Sequence, residues 1–170
     1  MTIWTATLPT RSGLDIDVRP ATEADMPGLV DFFDRVTDED RRFRFLAAAD
    51  HVGPAQVEAL VRTDHFRTQS WIGVNRASGQ IVASAMLACD GPLDTAEIAV
   101  SICGNHRDKG IGWAMLDFVA EQAAMRGCRP AIAIESRDNH AAIELEREKG
   151  FVAEPCEGDP TLVVLARQFR

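Results

Sequence analysis

The chain has 170 residues, with 18 Lys and Arg against 26 Asp and Glu, so its formal net charge is −8. This length predicts a single domain over residues 1–170, with a core large enough to fold without a disulfide or a metal. Hydrophobic residues make up 46% and charged residues 26% of the chain, which excludes disordered, collagen-like and coiled-coil classes. With no apolar run of about 18 residues and no basic cluster beyond residues 41–44, we expect neither a membrane nor a nucleic acid as partner.

The cysteines and the N-terminus suggest a compartment. The four cysteines show neither C-x-x-C spacing nor histidines at zinc-ligand spacing, so no metal site is predicted. The first residues lack the basic and apolar regions of a signal peptide. We therefore expect reduced thiols and a cytoplasmic location. We also expect the chain to be a monomer or a homodimer.

Hydrophobic spacing predicts the elements of the first half in chain order. Residues 1–13 are expected to form a loose arm or an edge segment, and the alternation over Leu14–Arg19 predicts a half-buried strand. Apolar residues at helical spacing then predict three helices between residues 20 and 61. Strand patterns separated by turns follow over residues 71–74, 81–88 and 96–103.

The second half predicts a loop, a helix, a strand, a helix and two strands. The corresponding segments are residues 104–112, 111–127, 130–135, 138–149, 151–152 and 161–166. A meander followed by a βαβ unit predicts an α/β fold with a mixed, mostly antiparallel sheet of about seven strands and helices on both faces. In the strand over residues 96–103, Glu97 shares a face with Ala99, Ser101 and Cys103.

The loop over residues 107–114 carries the strongest sign of chemistry. It follows a strand and opens a helix, so free backbone N–H groups and the positive end of the helix dipole can cradle a phosphate. Gly110 and Gly112 have no Cβ, which lets a pyrophosphate approach the backbone closely. Ile111 stands where a Walker motif requires lysine, and Met115 where a dinucleotide-binding motif requires its third glycine.

Residues 15–169 resemble the GNAT superfamily of N-acetyltransferases. The resemblance is carried by the motif Arg107-x-x-Gly110-x-Gly112, by Asn139 at the start of the next helix and by Gly150-Phe151 at the end of that helix. The resemblance implies a single GNAT domain that uses acetyl-CoA and no metal. It implies that the backbone of one strand segment pairs with the pantetheine arm, and that an N–H near Ile102 stabilises the oxyanion. The implied acetyl-CoA-binding residues are Val100, Ser101, Ile102, Arg107, Asp108, Lys109, Gly110, Ile111, Gly112, Trp113 and Asn139. Trp113 could flank the ligand, although a core position is favoured, and Asn139 could also cap its helix.

Two segments are similar to bacterial Pat-type protein lysine acetyltransferases: residues 30–45 and Ala96–Val100. This resemblance implies that Glu97 is the general base and that a protein lysine is the acceptor. Attack requires a neutral amine, and deprotonating a lysine of pKa about 10.4 at pH 7 costs roughly 4.6 kcal/mol. A carboxylate at the mouth of the site can take that proton. Apolar neighbours predict that Glu97 is poorly solvated, whereas a solvent-facing or arginine-paired side chain is the structural alternative.

One position departs from the GNAT pattern. Many members carry a tyrosine seven residues after the asparagine, as the acid for the leaving thiolate, and here that residue is Glu146. Cys103 is interpreted as structural, since no local histidine is expected beside it. The alternatives to a lysine acetyltransferase are acetylation of a small amine, such as a polyamine, amino acid or aminoglycoside, and a catalytically silent acyl-CoA sensor.

Overall fold

The strand patterns assemble into one eight-stranded sheet in a computed structural model, which describes residues 5–40, 54–106 and 109–169. The spatial order of the strands is β1-β2-β3-β4-β5-β6-β8-β7. Their bounds are β1 Ala6–Pro9, β2 Asp15–Pro20, β3 Thr68–Asn75, β4 Ile81–Cys89, β5 Ala96–Ile102, β6 Pro130–Ser136, β7 Val152–Pro155 and β8 Leu162–Gln168. All neighbouring strands are antiparallel except β5 and β6, which are parallel. The predicted mixed, mostly antiparallel sheet is therefore confirmed.

The sheet has eight strands rather than about seven because residues 6–9 form β1. The sequence predicts a loose arm or an edge segment over residues 1–13, and residues 6–9 form an edge strand. It pairs with β2 from Ala6↔Val18 to Pro9↔Asp15. The Thr7 hydroxyl also donates a 2.7 Å hydrogen bond to Asp17 Oδ1, which fixes the edge strand to its neighbour.

Among the residues that the structure describes, four helices of eight or more residues pack on the sheet: α1 Met26–Arg35, α2 Pro54–Val61, α3 Ile111–Met125 and α4 His140–Glu148. A further predicted helix is helical at residues 38–40, and its continuation lies outside the described residues. Short 3₁₀ turns at Glu23–Asp25 and Gly104–His106 precede α1 and follow β5. In the described ranges, no helix combines the length and apolar character needed to cross a membrane.

The central strands are covered on both faces. Seven consecutive residues of β3, Gln69 to Asn75, are buried, and such continuous burial requires packing on both sides of the sheet. On one side Trp71 meets Phe118 of α3 edge-to-face, with ring centroids 5.5 Å apart. A Cβ at Gly73 would meet Met115 of the same helix. Because α3 crosses this face, its N-terminus lies beside the end of β5.

The close approach at Gly73 generates a prediction for stability. A Cβ there would lie 2.9 Å from Ile16 Cγ2 and 3.1 Å from Ala83 Cβ, and these atoms belong to buried side chains. We expect Gly73→Ala to lower the free energy of unfolding by about 1–3 kcal/mol through overpacking. Gly91→Ala is the matched control, because a Cβ at Gly91 meets nothing within 4 Å. Urea denaturation of both variants measures the difference, and equal stabilities would contradict the packing described.

Candidate functional site

The central feature of the site is a gap between the two parallel strands. β5 and β6 pair only at Ala96↔Ala131 and Glu97↔Ile132. Beyond these residues β5 continues along β4 to Ile102, while β6 continues along β8 to Ser136. The backbone groups of both strands that point toward the gap therefore lack a strand partner, and an extended ligand can pair with them.

A cavity of about 500 Å³ occupies this gap, and we call it the β5–β6 cavity. It brings together most of the residues predicted from sequence, on β5, at the start of α3 and at the start of α4. These residues are Glu97, Val100, Ser101, Ile102, Gly110, Ile111, Gly112, Trp113 and Asn139. Lys109 is exposed and does not line the cavity, while Arg107 and Asp108 lie outside the described residues.

The N-terminus of α3 presents its backbone donors to this cavity. Gly110 is the N-cap, with a φ of 81° that favours glycine, and it has no side chain to cap the helix. The first N–H groups of a helix have no acceptor within the helix, so those after Gly110 are available to an anionic ligand. Gly112 keeps the helix close to its surroundings, because a Cβ there would lie 3.3 Å from Leu145 Cδ2.

The turn between β1 and β2 also reaches the cavity, which sequence reasoning missed. Arg11 lines the cavity, and its Cγ would lie 2.8 Å from a Cβ at Gly110. Ser12 Oγ donates a 2.6 Å hydrogen bond to the carbonyl of Lys109. The turn thus braces the loop before α3 and adds a guanidinium group close to the helix N-terminus.

Trp113 lies on the wall of the cavity, whereas the sequence favours a core position for this residue. The residue is half-buried, and two cations face its ring: Lys149 Nζ lies 3.7 Å and Arg11 Cζ 5.5 Å from the centroid. Its indole Nε1 is buried without a hydrogen-bond partner in the described part of the chain. Trp113 is therefore positioned to flank a ligand, which was the less favoured interpretation.

Glu97 occupies the point where β5 and β6 separate. It pairs across the sheet with Ala88 and Ile132, and its side chain is exposed and lines the cavity. The expectation of poor solvation is wrong, because β6 diverges at this residue and leaves its surroundings open. The carboxylate is consequently accessible both from the cavity and from solvent.

At the opposite wall, Glu135 and Glu146 form a carboxyl pair, and Asn139 donates a hydrogen bond to Glu135. Asn139 caps α4, as predicted, with Oδ1 accepting from the Ala142 N–H at 3.4 Å, and its Nδ2 donates to Glu135 Oε2 at 3.1 Å. Glu135, near the end of β6, hydrogen-bonds Glu146 of α4, which is 6% exposed. Burial, followed by the neighbouring Glu135, raises the pKa of Glu146 to about 10. Glu146 therefore holds a proton at neutral pH.

Cys103 has a histidine beside it, contrary to the sequence-based expectation. Its Sγ lies 3.2 Å from His106 Nδ1 and 3.2 Å from Asn105 Oδ1, because the 3₁₀ turn folds these residues back over the strand end. Burial nevertheless raises the pKa of the Cys103 thiol and lowers that of His106. These shifts favour a neutral thiol, which agrees with a structural role.

Local sequence signals located the β5 residues, the α3 loop and Asn139. Glu135 could have been found from its place near the carboxyl end of β6, one of the two parallel strands, where α/β sheets bind ligands. Arg11 gave no such signal, because its approach to Gly110 depends on the pairing of β1 with β2. Residues 41–45, which belong to the segment 30–45 that is similar to Pat-type enzymes, lie outside the described residues.

Comparison with known proteins shows which family of proteins this chain and its fold resemble. A model of the Acetyltransferase (GNAT) family matches residues 31–151. Acetyltransferase PA5475 of Pseudomonas aeruginosa is 24% identical over 154 residues, covering 89% of this chain and 83% of that protein. The GNAT domain of S. lividans PAT has a TM-score of 0.88 at 24% identity, covering 96% of both chains. Spermidine N-acetyltransferase from Vibrio cholerae, solved with CoA and spermine, has a TM-score of 0.72 at 14% identity, covering 90% of this chain and 95% of that chain.

The buried carboxyl pair generates a prediction for stability against pH. Because the pKa of Glu146 is raised by folding, the unfolded chain releases this proton at lower pH than the folded chain does. The contribution of Glu146 to the free energy of unfolding is fully present below the unfolded pKa of about 4.3 and is lost as pH rises toward about 10. As pH rises from 5 to 9, we expect the free energy of unfolding of Glu146→Gln to increase relative to that of wild type by up to ~1.4 kcal/mol per pH unit.

Chemical denaturation at several pH values measures this slope. Glu144→Gln is the matched control, since Glu144 lies on the same helix and lines the same cavity but is exposed. A parallel pH dependence for wild type and Glu146→Gln would contradict a protonated Glu146.

Proposed function

The chain belongs to the GNAT acetyltransferase family, and we propose that it transfers an acetyl group from acetyl-CoA directly to a primary amine. The observation that carries this proposal is the β5–β6 cavity. There an unpaired strand edge, the N-terminus of α3 and an accessible carboxylate meet. The strand edge and the helix N-terminus suit an extended donor that carries phosphates, and the carboxylate suits a basic acceptor.

The residues present suit acetyl-CoA, which supplies an acetyl group activated as a thioester. The gap-facing backbone of Val100, Ser101 and Ile102 offers hydrogen bonds to an extended pantetheine arm. The N–H groups that follow Gly110 suit its pyrophosphate, and Arg11 adds a positive charge beside them. We propose that Arg107, Asp108 and Lys109 complete this loop, that Ile111, Gly112 and Trp113 line the bound donor, and that Asn139 hydrogen-bonds its pantetheine region.

Glu97 is proposed as the general base. The acceptor must lose a proton before its nitrogen can attack, and Glu97 is the carboxylate on β5 at the opening of the gap. Because the side chain is exposed, it can accept the proton directly or through a water molecule and pass it to solvent.

We propose a protein lysine as the acceptor. Acidic side chains from several elements line the cavity, namely Asp40, Glu97, Glu135, Glu144, Glu146 and Glu148, and ionised members of this set attract a cationic amine. Exposure of Glu97 suits an acceptor presented on a large surface, and the likeness to the S. lividans PAT domain supports the same choice. A small amine is the second candidate, supported by the same acidic lining and by the likeness to a spermidine N-acetyltransferase.

The role of Glu97 can be tested by CoA-thiol release with mass spectrometry of the products. Wild type and Glu97→Gln would each receive acetyl-CoA with protein lysines, peptides and small amines. We expect Glu97→Gln to lower kcat/KM by about 10²–10⁴, because the amine loses its proton acceptor. Glu154→Gln, which changes an exposed carboxylate on β7 that does not line the cavity, should retain full activity.

The products also identify the acceptor class. Unchanged activity in Glu97→Gln would remove this residue from the mechanism. Binding of acetyl-CoA without product from any acceptor would contradict the proposed transfer and favour a silent acyl-CoA sensor.

The α3 N-terminus can be tested through its glycine. In Gly110→Ala, the added Cβ would lie 2.8 Å from Arg11 Cγ at a φ of 81°, which disturbs the proposed pyrophosphate site. We expect acetyl-CoA affinity to fall by about tenfold or more, equivalent to ~1.4 kcal/mol. Gly150→Ala imposes a similar left-handed strain at φ 90° with nothing within 4 Å, and should bind normally. Isothermal titration calorimetry measures both affinities, and equal values would refute the assignment.

A further inference from the structure

Two cysteines that lie far apart in the sequence are in contact beside the start of β5, and we call them the thiol pair. Cys89 ends β4, Cys128 follows α3, and their sulfur atoms lie 3.5 Å apart. Cys89 is partly exposed and Cys128 is buried, so a small solute has access to the pair from the Cys89 side. The proposed transfer assigns no role to either thiol.

The backbone around the thiol pair holds both sulfurs in place. The N–H of Cys89 donates to the carbonyl of Arg67 at 2.7 Å. Next to Cys128, the N–H of Arg129 donates to the carbonyl of Asp94 at 2.8 Å, which ties the α3–β6 connection to the turn between β4 and β5. The fold therefore presents the two sulfurs to each other. To form a bond of about 2.05 Å, they need to approach by roughly 1.5 Å.

The other two cysteines have neighbours of a different kind. Cys103 Sγ lies 3.2 Å from both His106 Nδ1 and Asn105 Oδ1. The thiol of Cys156, which is partly exposed, lies 3.9 Å from the carbonyl oxygen of Glu157. The contact between two thiols is thus a property of the thiol pair, and Cys156 offers a reference thiol of comparable exposure.

We propose that Cys89 and Cys128 form a redox modification site that a hydroperoxide converts into a disulfide. With hydrogen peroxide, the Cys89 sulfur forms a bond to one peroxide oxygen, the O–O bond breaks, and one water leaves, so that Cys89 becomes a sulfenic acid. The Cys128 sulfur then forms a bond to the Cys89 sulfur, the S–O bond breaks, and the hydroxyl group leaves as water with the Cys128 proton. Two thiols lose two electrons in total, and one hydrogen peroxide is reduced to two waters. The inference goes beyond the proposed function and does not depend on it.

The environment of Cys89 sets the rate of this reaction rather than its endpoint. Burial and then Cys128 raise the pKa of Cys89 to about 12, with Asp90 adding to the increase and Arg126 opposing it. Because the thiolate is the reactive form, we expect slow oxidation at pH 7 and a rate that rises by about tenfold per pH unit. Once Cys89 is oxidised, a second sulfur is already in contact with it and closes the disulfide.

The disulfide would enclose the elements on one side of the β5–β6 cavity. The chain between the two cysteines contains β5, the loop before α3 and α3 itself. Cys89 pairs with Ala96, the residue before Glu97, so the bond would lie at the paired end of β5. The N-terminus of α3 lies at the other end of the gap. We therefore expect the bond to restrain the Glu97 end of the site more than the donor end.

Peptide mapping of peroxide-treated protein tests the bond without relying on activity. Folded, reduced wild type at about pH 8.5 should lose two thiols and yield a cross-linked Cys89–Cys128 peptide, and dithiothreitol should reverse both changes. Cys89→Ser should abolish the cross-link, and Cys128→Ala supplies the same loss from the other side. Cys156→Ser is the matched control, because it removes a partly exposed thiol outside the pair, and it should leave the cross-link unchanged.

The unfolded chain provides a second control. In urea, shorter loops close more readily, so cross-links between cysteines that are nearer in sequence should replace the native one. The oxidised folded protein should have a Tm about 5–15 °C above that of the reduced protein, because the bond restricts the unfolded chain. A Cys89–Cys128 bond that lowers Tm would mean that its formation breaks the native geometry, and would overturn the inference.

Three chemical outcomes would also overturn it. They are oxidation of Cys89 to a sulfinic acid without a cross-link, a bond from Cys89 to Cys103 or Cys156, and a bond between two molecules. Each would show that the contact in the fold does not direct the oxidation.

The effect on acetyl transfer is measured separately, with the acceptor found in the product assay. We expect oxidation to lower kcat/KM for the acceptor by about tenfold while acetyl-CoA affinity changes less than about twofold. Dithiothreitol should restore the rate, and Cys89→Ser should be insensitive to peroxide. Equal kcat/KM in both redox states would contradict the restraint on Glu97. If wild type makes no product from any amine, the proposed function fails, while the redox site still stands or falls on the peptide map.

Discussion

The site depends on the early separation of two parallel strands. β5 and β6 share only two residue pairs before each follows its antiparallel neighbour, β4 or β8. A sheet that remained paired here would have no space between these strands and no unpartnered backbone edge. Separation opens the gap, the helix after β5 places its N-terminus at one end, and the helix after β6 brings a buried carboxyl group to the wall. The geometry of the candidate site thus derives from one irregularity in strand pairing.

Local pattern was sufficient for most of the fold and for part of the site. Alternating residues located β5, glycines and a strand-to-helix change located the α3 N-terminus, and Asn139 marked the start of α4. Three features were not decided by local pattern: residues 6–9, which the sequence predicts as a loose arm or an edge segment, the solvation of Glu97 and the Glu135–Glu146 pair. Each depends on packing between separate elements, namely β1 on β2, the divergence of β6 from β5, or a helix folded over a strand end.

Two carboxyl groups of one cavity experience opposite environments. Glu97 stands in the open at the separation point, whereas Glu146 is enclosed beside a second carboxyl group and retains its proton. The environment of the carboxyl group, rather than its residue type, sets its proton affinity.

The β1–β2 turn has a consequence for where the functional unit begins. The family match starts at residue 31, yet Ser12 holds the carbonyl of Lys109 and Arg11 covers Gly110. Truncation at the family boundary would remove β1 and β2, and with them the contacts that brace the loop before α3. It would also remove one of the two partners of β3, leaving it paired with β4 alone, and expose the backbone of a strand that is buried on both faces. An edge of that kind recruits other chains, so the truncated protein would aggregate before its activity could be measured.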